Sequence, residues 1–308
     1  MCAMSDAASP VLPAARSRAW PAAALALPFT LIWASAFPAA KFVFPDSPPL
    51  LFLAVRYLLA GWLLVAWAAG RGSLRHDLGR LGARGWAVLL ALALLNHALY
   101  LGLSWTGMRQ LSSGLTTIII SASPIVVALL AAPLLGERLG ARQWAGLALG
   151  LGGVAFIVRQ RLGGGADTLA GVLMVLAALF MLSLGTVLYK RQPLSVGLAT
   201  GAGLQTLLAG LALLPVALLT EDVASVRLTP ALLGAMAWLV GVVSMGGYLL
   251  WFALLARARA AAASAWFFLT PPLGLLMGWA VLDEPLAWGD FAGIVPVVLG
   301  IALVTRGR

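Results

Sequence analysis

Residues 123–139 read SPIVVALLAAPLLGERL, and residues 270–286 read TPPLGLLMGWAVLDEPL. The second stretch begins 147 positions after the first, and at this offset a proline aligns with a proline and a glutamate with a glutamate. The same offset gives further identical pairs, which are Leu139 with Leu286, Ala145 with Ala292, Gly146 with Gly293, Gly153 with Gly300, and Ala155 with Ala302. The second half of the chain is therefore predicted to repeat the first.

The composition is that of a membrane protein. The chain has 308 residues, of which 62% are hydrophobic and 10% charged, and its mean hydropathy is +1.00. A soluble domain carries about a quarter charged residues. Apolar segments long enough to cross a bilayer, which takes about 20 residues, occur at 20–40, 49–69, 85–106, 112–135, 141–158, 168–189, 195–219, 230–255, 260–282 and 286–305. We predict an all-α polytopic membrane protein with ten transmembrane helices.

These segments divide into two groups of five. Because five is odd, the second group must enter the membrane from the opposite side, which makes the predicted halves inverted repeats. Inverted repeats are typical of transporters that expose a midplane site to one face and then the other. The predicted organisation is a cytoplasmic tail at 1–19, a first repeat at 20–158, a linker at 159–167 and a second repeat at 168–305.

Positive charge predicts the orientation, because cytoplasmic loops carry an excess of Lys and Arg. With the N-terminus in the cytoplasm, fourteen basic residues face the cytoplasm: Arg16, Arg18, Arg71, Arg75, Arg80, Arg84, Arg138, Arg142, Lys190, Arg191, Arg257, Arg259, Arg306 and Arg308. Five face the other side: Lys41, Arg109, Arg159, Arg161 and Arg227. Both termini are therefore predicted to be cytoplasmic, in a bacterial inner membrane. This distribution explains the net charge of +10 without a nucleic-acid partner.

Several stretches resemble the EamA branch of the drug/metabolite transporter superfamily. They are residues 33–41, 53–61, 123–146 and 270–293, and the resemblance covers about residues 20–305. It implies ten helices in two repeats and the export of amino acids, other metabolites or cationic drugs. The aromatic residues of the central segments are most similar to those of YddG-type amino-acid exporters.

The central segments of the two halves carry the best candidates for substrate binding. Ser244, Tyr248 and Trp251 have the spacing of one helical face, and Asn96 and Tyr100 lie one turn apart in the corresponding segment of the first half. A cavity of aromatic rings and a few polar groups suits amphipathic solutes. The alternative is that these rings belong to an aromatic belt at the membrane surface.

Other candidates are single groups inside the apolar segments. His97 can titrate near neutral pH or bind a substrate carboxylate, or it can simply bond a neighbouring helix. Arg56 can bind an anionic group, but we favour a structural role in which it snorkels or caps helix carbonyls. Trp33 and Phe37, one turn apart in the first segment, either line the cavity or pack between helices.

Two prolines at equivalent positions are candidates for gating. Pro124 and Pro271 each lie inside an apolar segment, where proline removes a backbone donor and frees a carbonyl. Thr270 and Trp266 precede the second of them and are candidates for lining the cavity. A static kink packed against small residues is the alternative.

Other functional classes fit less well. His97 and Ser104 are seven residues apart, about 10.5 Å along a helix, which is too far for a nucleophile and its base. A scaffold or receptor has no need of inverted repeats. We predict a non-enzymatic exporter of neutral, bulky or aromatic amino acids, and the alternative is an exporter of cationic drugs or other metabolites. The expected partners are a small-molecule substrate and the lipid bilayer, with no nucleic acid, cofactor or metal. The sequence does not determine the oligomeric state, and a monomer is compatible with it.

Overall fold

The computed structural model describes residues 22–111, 116, 119–159, 168–282 and 288–306. The predicted tail at 1–19 and the part of the predicted linker beyond Arg159 lie outside these ranges. Within them the regular structure is entirely helical.

Twelve helices follow one another along the described chain. In the first half they are α1 (Ala22–Lys41), α2 (Pro49–Gly70), α3 (Ser73–Gly79), α4 (Ala83–Met108), α5 (Ser123–Leu135) and α6 (Ala141–Arg159). In the second half they are α7 (Leu169–Arg191), α8 (Leu198–Thr220), α9 (Pro230–Arg257), α10 (Ala260–Ser264), α11 (Thr270–Leu282) and α12 (Trp288–Thr305).

Two of the longest helices are irregular in the middle. Helix α4 contains a π-helical stretch at Leu94–Leu99, and α9 contains one at Leu239–Gly247. A 3-10 stretch, Ala265–Leu269, joins α10 to α11. Short π-helical insertions often occur at functional sites, because they turn side chains away from the regular helical register.

Six helices are long and apolar enough to cross a membrane, counted over the described residues. They are α1, α2, α4, α7, α8 and α9, and shorter apolar helices cover Ile119–Leu135 and Ala292–Thr305. The predicted ninth segment is divided between α10 and α11, so neither part reaches the required length. The chain is thus an all-helical, multi-pass membrane protein, and its arrangement as ten spans in two inverted repeats is taken up below as a proposal.

Glycines allow two helix pairs to pack backbone to backbone. A Cβ atom on Gly61 of α2 would lie 2.5 Å from the backbone nitrogen of Leu207 in α8. A Cβ atom on Gly300 of α12 would lie 2.6 Å from the carbonyl oxygen of Gly146 in α6. Such close approach is how membrane helices gain packing energy where the hydrophobic effect gives none.

Side-chain bonds tie the helix ends together at the end of the bundle where α1 stops, which we call the Lys41 end. The Glu221 carboxylate accepts hydrogen bonds from the backbone N–H groups of Leu50 (3.0 Å) and Leu51 (2.7 Å), in the first turn of α2. Arg227 lies 3.1 Å from Asp46. An acidic group at a helix N-terminus satisfies donors that have no partner inside the helix.

A second set of bonds closes the opposite end, which we call the Glu137 end. Gly136 ends α5 in the left-handed conformation (φ +68°), and the next residue, Glu137, accepts a hydrogen bond from the backbone N–H of Ala260 at 2.9 Å. Lys190 Nζ donates to the carbonyl oxygens of Leu255 (2.8 Å) and Ala258 (2.7 Å). Helices of both halves are therefore tied at this end.

Candidate functional site

A small cavity lies between the helices in the part of the bundle that leads to the Lys41 end. Its volume is about 30 Å³, enough for a water molecule and too small for an amino acid. The lining side chains are mostly apolar, with a few polar groups among them: Trp33, Ala36, Ala40, Arg56, Tyr100, Leu101, Ser104, Trp105, Met108, Ile120 and Val243.

Arg56 is the charged group of this cavity. It lies on α2, it is 2% exposed, and its Nε donates a hydrogen bond to Ser244 Oγ of α9 at 2.9 Å. Its guanidinium carbon is 5.6 Å from the centroid of the Tyr57 ring. Sequence reasoning favoured a structural role in which Arg56 snorkels outward or caps helix carbonyls; in the structure the side chain is buried and its hydrogen bond joins α2 to α9.

A cluster of hydroxyl and imidazole groups lies beside Arg56. The hydroxyl oxygens of Tyr57 and Tyr248 are 3.1 Å apart, which is a hydrogen bond between α2 and α9. The His97 ring meets the Tyr248 ring edge-on, with centroids 4.5 Å apart, and lies 5.5 Å from that of Tyr57. This buried cluster joins α2, α4 and α9.

His97 of this cluster and its neighbour in the chain, Asn96, have buried polar atoms without a hydrogen-bond partner among the described residues. They are both ring nitrogens of His97 and both amide atoms of Asn96. His97 is 1% exposed and Asn96 is 6% exposed. Asn96 lies directly against Gly185 of α7, where a Cβ atom would collide with its amide oxygen. Buried polar atoms are normally satisfied, so each of these atoms calls for a partner, such as a water molecule or a polar group of a ligand.

The π-helical stretches position several of these groups. Asn96 and His97 lie in the stretch of α4, and Ser244 lies in the stretch of α9. Both side chains of the Arg56–Ser244 hydrogen bond are buried, and Tyr248 begins the regular helix that follows the stretch in α9. No signal in the sequence identifies these stretches.

Aromatic rings cover one side of the cluster. Trp33 stacks on Tyr100 with centroids 6.5 Å apart, and its ring lies 6.0 Å from that of Tyr248. Trp251 does not line the cavity; it packs behind Trp33 against Phe29, with centroids 5.0 Å apart. Trp33 therefore lies between the cavity and the rings of Phe29 and Trp251, which we call the aromatic layer.

In the ninth apolar segment, a different aromatic residue from the predicted one contacts the aromatic layer. Trp266 was the predicted aromatic residue there, but it is only half-buried, and the ring that joins the aromatic layer is that of Phe267. Phe267 lies 5.8 Å from Trp33 and 5.0 Å from Trp251. The 3-10 stretch changes which side chain faces inward, because it has fewer residues per turn than an α-helix.

The two candidate gating prolines occupy equivalent places. Pro124 and Pro271 each lie in the first turn of a new α-helix, where a missing N–H costs nothing. Both lie inside longer helical stretches, Ile119–Leu135 and 260–282, just after a turn or a 3-10 stretch, so a bend at these points stays a prediction. The residues before them, Ser123 and Thr270, are buried and have no hydrogen-bond partner for their hydroxyls among the described residues.

Phe37, another predicted binding residue, lies in α1, and its side chain is outside the described part.

Among the predicted binding residues whose side chains the structure describes, two line the cavity, Trp33 and Tyr100. Ser244 is not among the lining residues, but it accepts a hydrogen bond from Arg56, which is. Tyr57, Phe29 and Phe267 were not predicted. Tyr57 follows Arg56 directly in the chain, so the charged residue inside an apolar segment was the available signal for this part of the site.

Comparison with known proteins gives one consistent result. The model of the EamA-like transporter family matches residues 20–159 and again residues 169–306. The "Uncharacterized transporter YvbV" of Bacillus subtilis is 32% identical over 282 residues, which is 91% of this chain and 90% of that protein. The "Probable amino-acid metabolite efflux pump" of Escherichia coli is 25% identical, covering 92% of this chain and 94% of that protein.

A solved crystal structure has the same fold. It superposes with a TM-score of 0.79 at 20% sequence identity, and the match covers 92% of this chain and 96% of that one.

Proposed function

Because the chain belongs to the EamA-like transporter family, we propose that this membrane transporter exports neutral, bulky or aromatic amino acids by alternating access. The observation that carries the proposal is the buried cluster around Arg56, where a guanidinium, two tyrosine hydroxyls and stacked rings meet inside the bundle. A neutral, bulky amino acid has a carboxylate that can bind the guanidinium and an apolar side chain that can contact the rings. The name of the Escherichia coli relative, an efflux pump for amino-acid metabolites, is in line with this substrate class.

Arg56 also bears on the alternative substrate class. A fixed positive charge repels a cationic drug, and in the low dielectric of a bundle interior this repulsion is stronger than in water. The aromatic rings alone would accept an ammonium group, so Arg56 is the feature that favours amino acids over cations.

The helix bounds support two repeats related by an inversion. At an offset of 147 residues, the first and last residues of α5 correspond to those of α11, and the first residue of α6 to that of α12. The packing is paired in the same way, since α1 contacts α11 and α7 contacts α5. Such pairs are expected when two halves of one fold pack about a pseudo-two-fold axis.

Alternating access in this fold requires the Glu137 end to open. The bonds of Glu137 to Ala260 and of Lys190 to the last turn of α9 hold that end closed while the cavity lies toward the Lys41 end. We propose that these bonds break as the two halves rock, and that the junctions at Pro124 and Pro271 act as the bending points. The proposed substrate path then runs past Trp33, Tyr100 and the Arg56 cluster.

The proposed topology places the Lys41 end outside and both termini in the cytoplasm. Starting from Cys2→Ser, which removes the one cysteine of the chain, an exposed position at each end can be labelled in intact cells. We expect an impermeant thiol reagent to modify Ser225→Cys, which lies near the Lys41 end, and to leave Gly79→Cys, after α2, unmodified. The reverse pattern would show that the orientation is wrong.

Uptake into proteoliposomes tests the function itself. We expect purified protein to carry labelled phenylalanine, tryptophan and leucine faster than glycine or aspartate, because the proposed path is aromatic and uncharged apart from Arg56. The same vesicles, with and without a pH gradient, would then be offered a cationic dye. Transport of the dye with no transport of any amino acid would replace the proposal by its alternative.

A further inference from the structure

We infer that Arg56 is the group that binds the substrate's carboxylate and thereby makes the transporter select amino acids over their amides and amines. The inference rests on the proposed function and deepens it by assigning a specificity-determining contact. It starts from the cost of burying a charge: a guanidinium taken out of water requires a compensating anion or a full set of hydrogen bonds.

The described part of the chain does not supply that anion. Five acidic side chains are described, and each one has its bonds elsewhere. Asp46 pairs with Arg227, Asp77 accepts from Thr200, Glu137 accepts from Ala260, Glu221 caps the first turn of α2, and Asp222 accepts from Ala224. Among the side chains that the structure describes, Arg56 is therefore a buried cation that has no acidic partner.

The donors of Arg56 suit a carboxylate. A guanidinium has five N–H donors in a planar fork, and it remains charged in any protein environment. The hydrogen bond from Nε to Ser244 uses one donor and fixes the plane of the group between α2 and α9. A carboxylate binds such a fork through two parallel hydrogen bonds, which gives both strength and orientation.

The surroundings suit the rest of an aromatic amino acid. Arg56 shares the cavity with the stacked rings of Trp33 and Tyr100. A carboxylate on Arg56 therefore leaves the side chain of the substrate facing aromatic surfaces. Near Arg56, both ring nitrogens of His97 are buried without a hydrogen-bond partner among the described residues, and either one can exchange a hydrogen bond with a polar group of the substrate.

A series of three related solutes tests the inference. Phenylalanine has the carboxylate, phenylalaninamide replaces it by a neutral amide, and phenethylamine lacks it. In the wild-type protein we expect phenylalanine to be transported with an apparent affinity at least about tenfold better than either analogue, since hydrogen bonds to charged groups contribute more than neutral ones. In Arg56→Gln we expect the affinity for phenylalanine to fall about tenfold or more, while that for phenylalaninamide changes little. The ratio of the two affinities should therefore approach one.

Two further variants separate binding from structure. Ser244→Ala removes the bond to Nε but keeps the charge, and it should keep the preference for the carboxylate. Arg56→Lys keeps the charge but not the fork, and it should retain a reduced preference. Should Arg56→Gln fail to fold, the wild-type ratio and Arg56→Lys still decide the matter.

The outcomes distinguish this inference from the proposed function. If the wild-type protein carries phenylalanine and its amide equally well, the carboxylate contact is refuted while amino-acid transport stands. If Arg56→Gln weakens transport of both by the same factor, Arg56 is only structural. If the wild-type protein carries no amino acid at all, the proposed function fails and this inference fails with it.

Discussion

We expect Gly61→Ala to destabilise the protein strongly, because the space for its methyl group is occupied by backbone. The added Cβ would lie 2.5 Å from the nitrogen and 2.7 Å from the Cα of Leu207, so α2 and α8 would have to move apart. Forcing extra atoms into a packed interior typically costs about 1–3 kcal/mol. Arg56 lies on the same helix, less than two turns away, so the shift should also disturb the site.

The measurement is thermal unfolding of the purified protein in detergent, compared with a matched control. Gly70→Ala makes the same chemical change in the same helix, at a position where a Cβ would meet nothing within 4 Å. We expect Gly70→Ala to unfold at the wild-type temperature and Gly61→Ala to unfold well below it. Equal unfolding temperatures would mean that α2 and α8 are not in the close contact described here.

The apolar segments predicted the helical, multi-pass architecture well. The start of α2 and the end of α9, for example, fall within two residues of the apolar segments read from the sequence. Hydropathy identifies such segments because every backbone polar group in lipid must be satisfied inside a helix. The predicted ninth segment, 260–282, is helical throughout, but a 3-10 stretch before Pro271 separates α10 from α11, and hydropathy does not reveal this change of helix type.

The candidate site was harder to predict than the helices. Trp266 was selected because it precedes Pro271 in the ninth segment, but the ring that joins the aromatic layer is that of Phe267, in the 3-10 stretch. For Arg56, the sequence could not distinguish a side chain that reaches the membrane surface from one that turns inward to Ser244. That difference depends on how α2 and α9 pack against each other, which is a property of the three-dimensional fold and not of either segment alone.

We expect Trp33→Ala to have the largest effect on substrate affinity outside Arg56. Trp33 lines the cavity and contacts Tyr100, Tyr248, Phe29 and Phe267, with ring centroids 5.6–6.5 Å away. Its loss removes an aromatic surface for the substrate and loosens Tyr100 as well. A pair of aromatic rings contributes about 0.5–1.5 kcal/mol beyond burial, and with the lost burial we expect the affinity for phenylalanine to fall at least about tenfold.

Two controls accompany this variant. Trp62→Ala removes a tryptophan that is 63% exposed on the lipid-facing side of α2, and it should leave transport unchanged. Trp33→Phe keeps an aromatic ring at the site and should retain most of the affinity for phenylalanine. A Trp33→Phe protein that transports normally also shows that the position tolerates substitution without loss of the fold.

The central claim is that the aromatic cavity beside Arg56 is where the substrate binds. It is tested most directly by the apparent affinities for phenylalanine and threonine, measured in proteoliposomes of the wild type, Trp33→Ala and Trp62→Ala. In Trp33→Ala alone, we expect a loss of at least about tenfold for phenylalanine and of less than about threefold for threonine. Equal losses for the two amino acids, or no loss for phenylalanine, would contradict it.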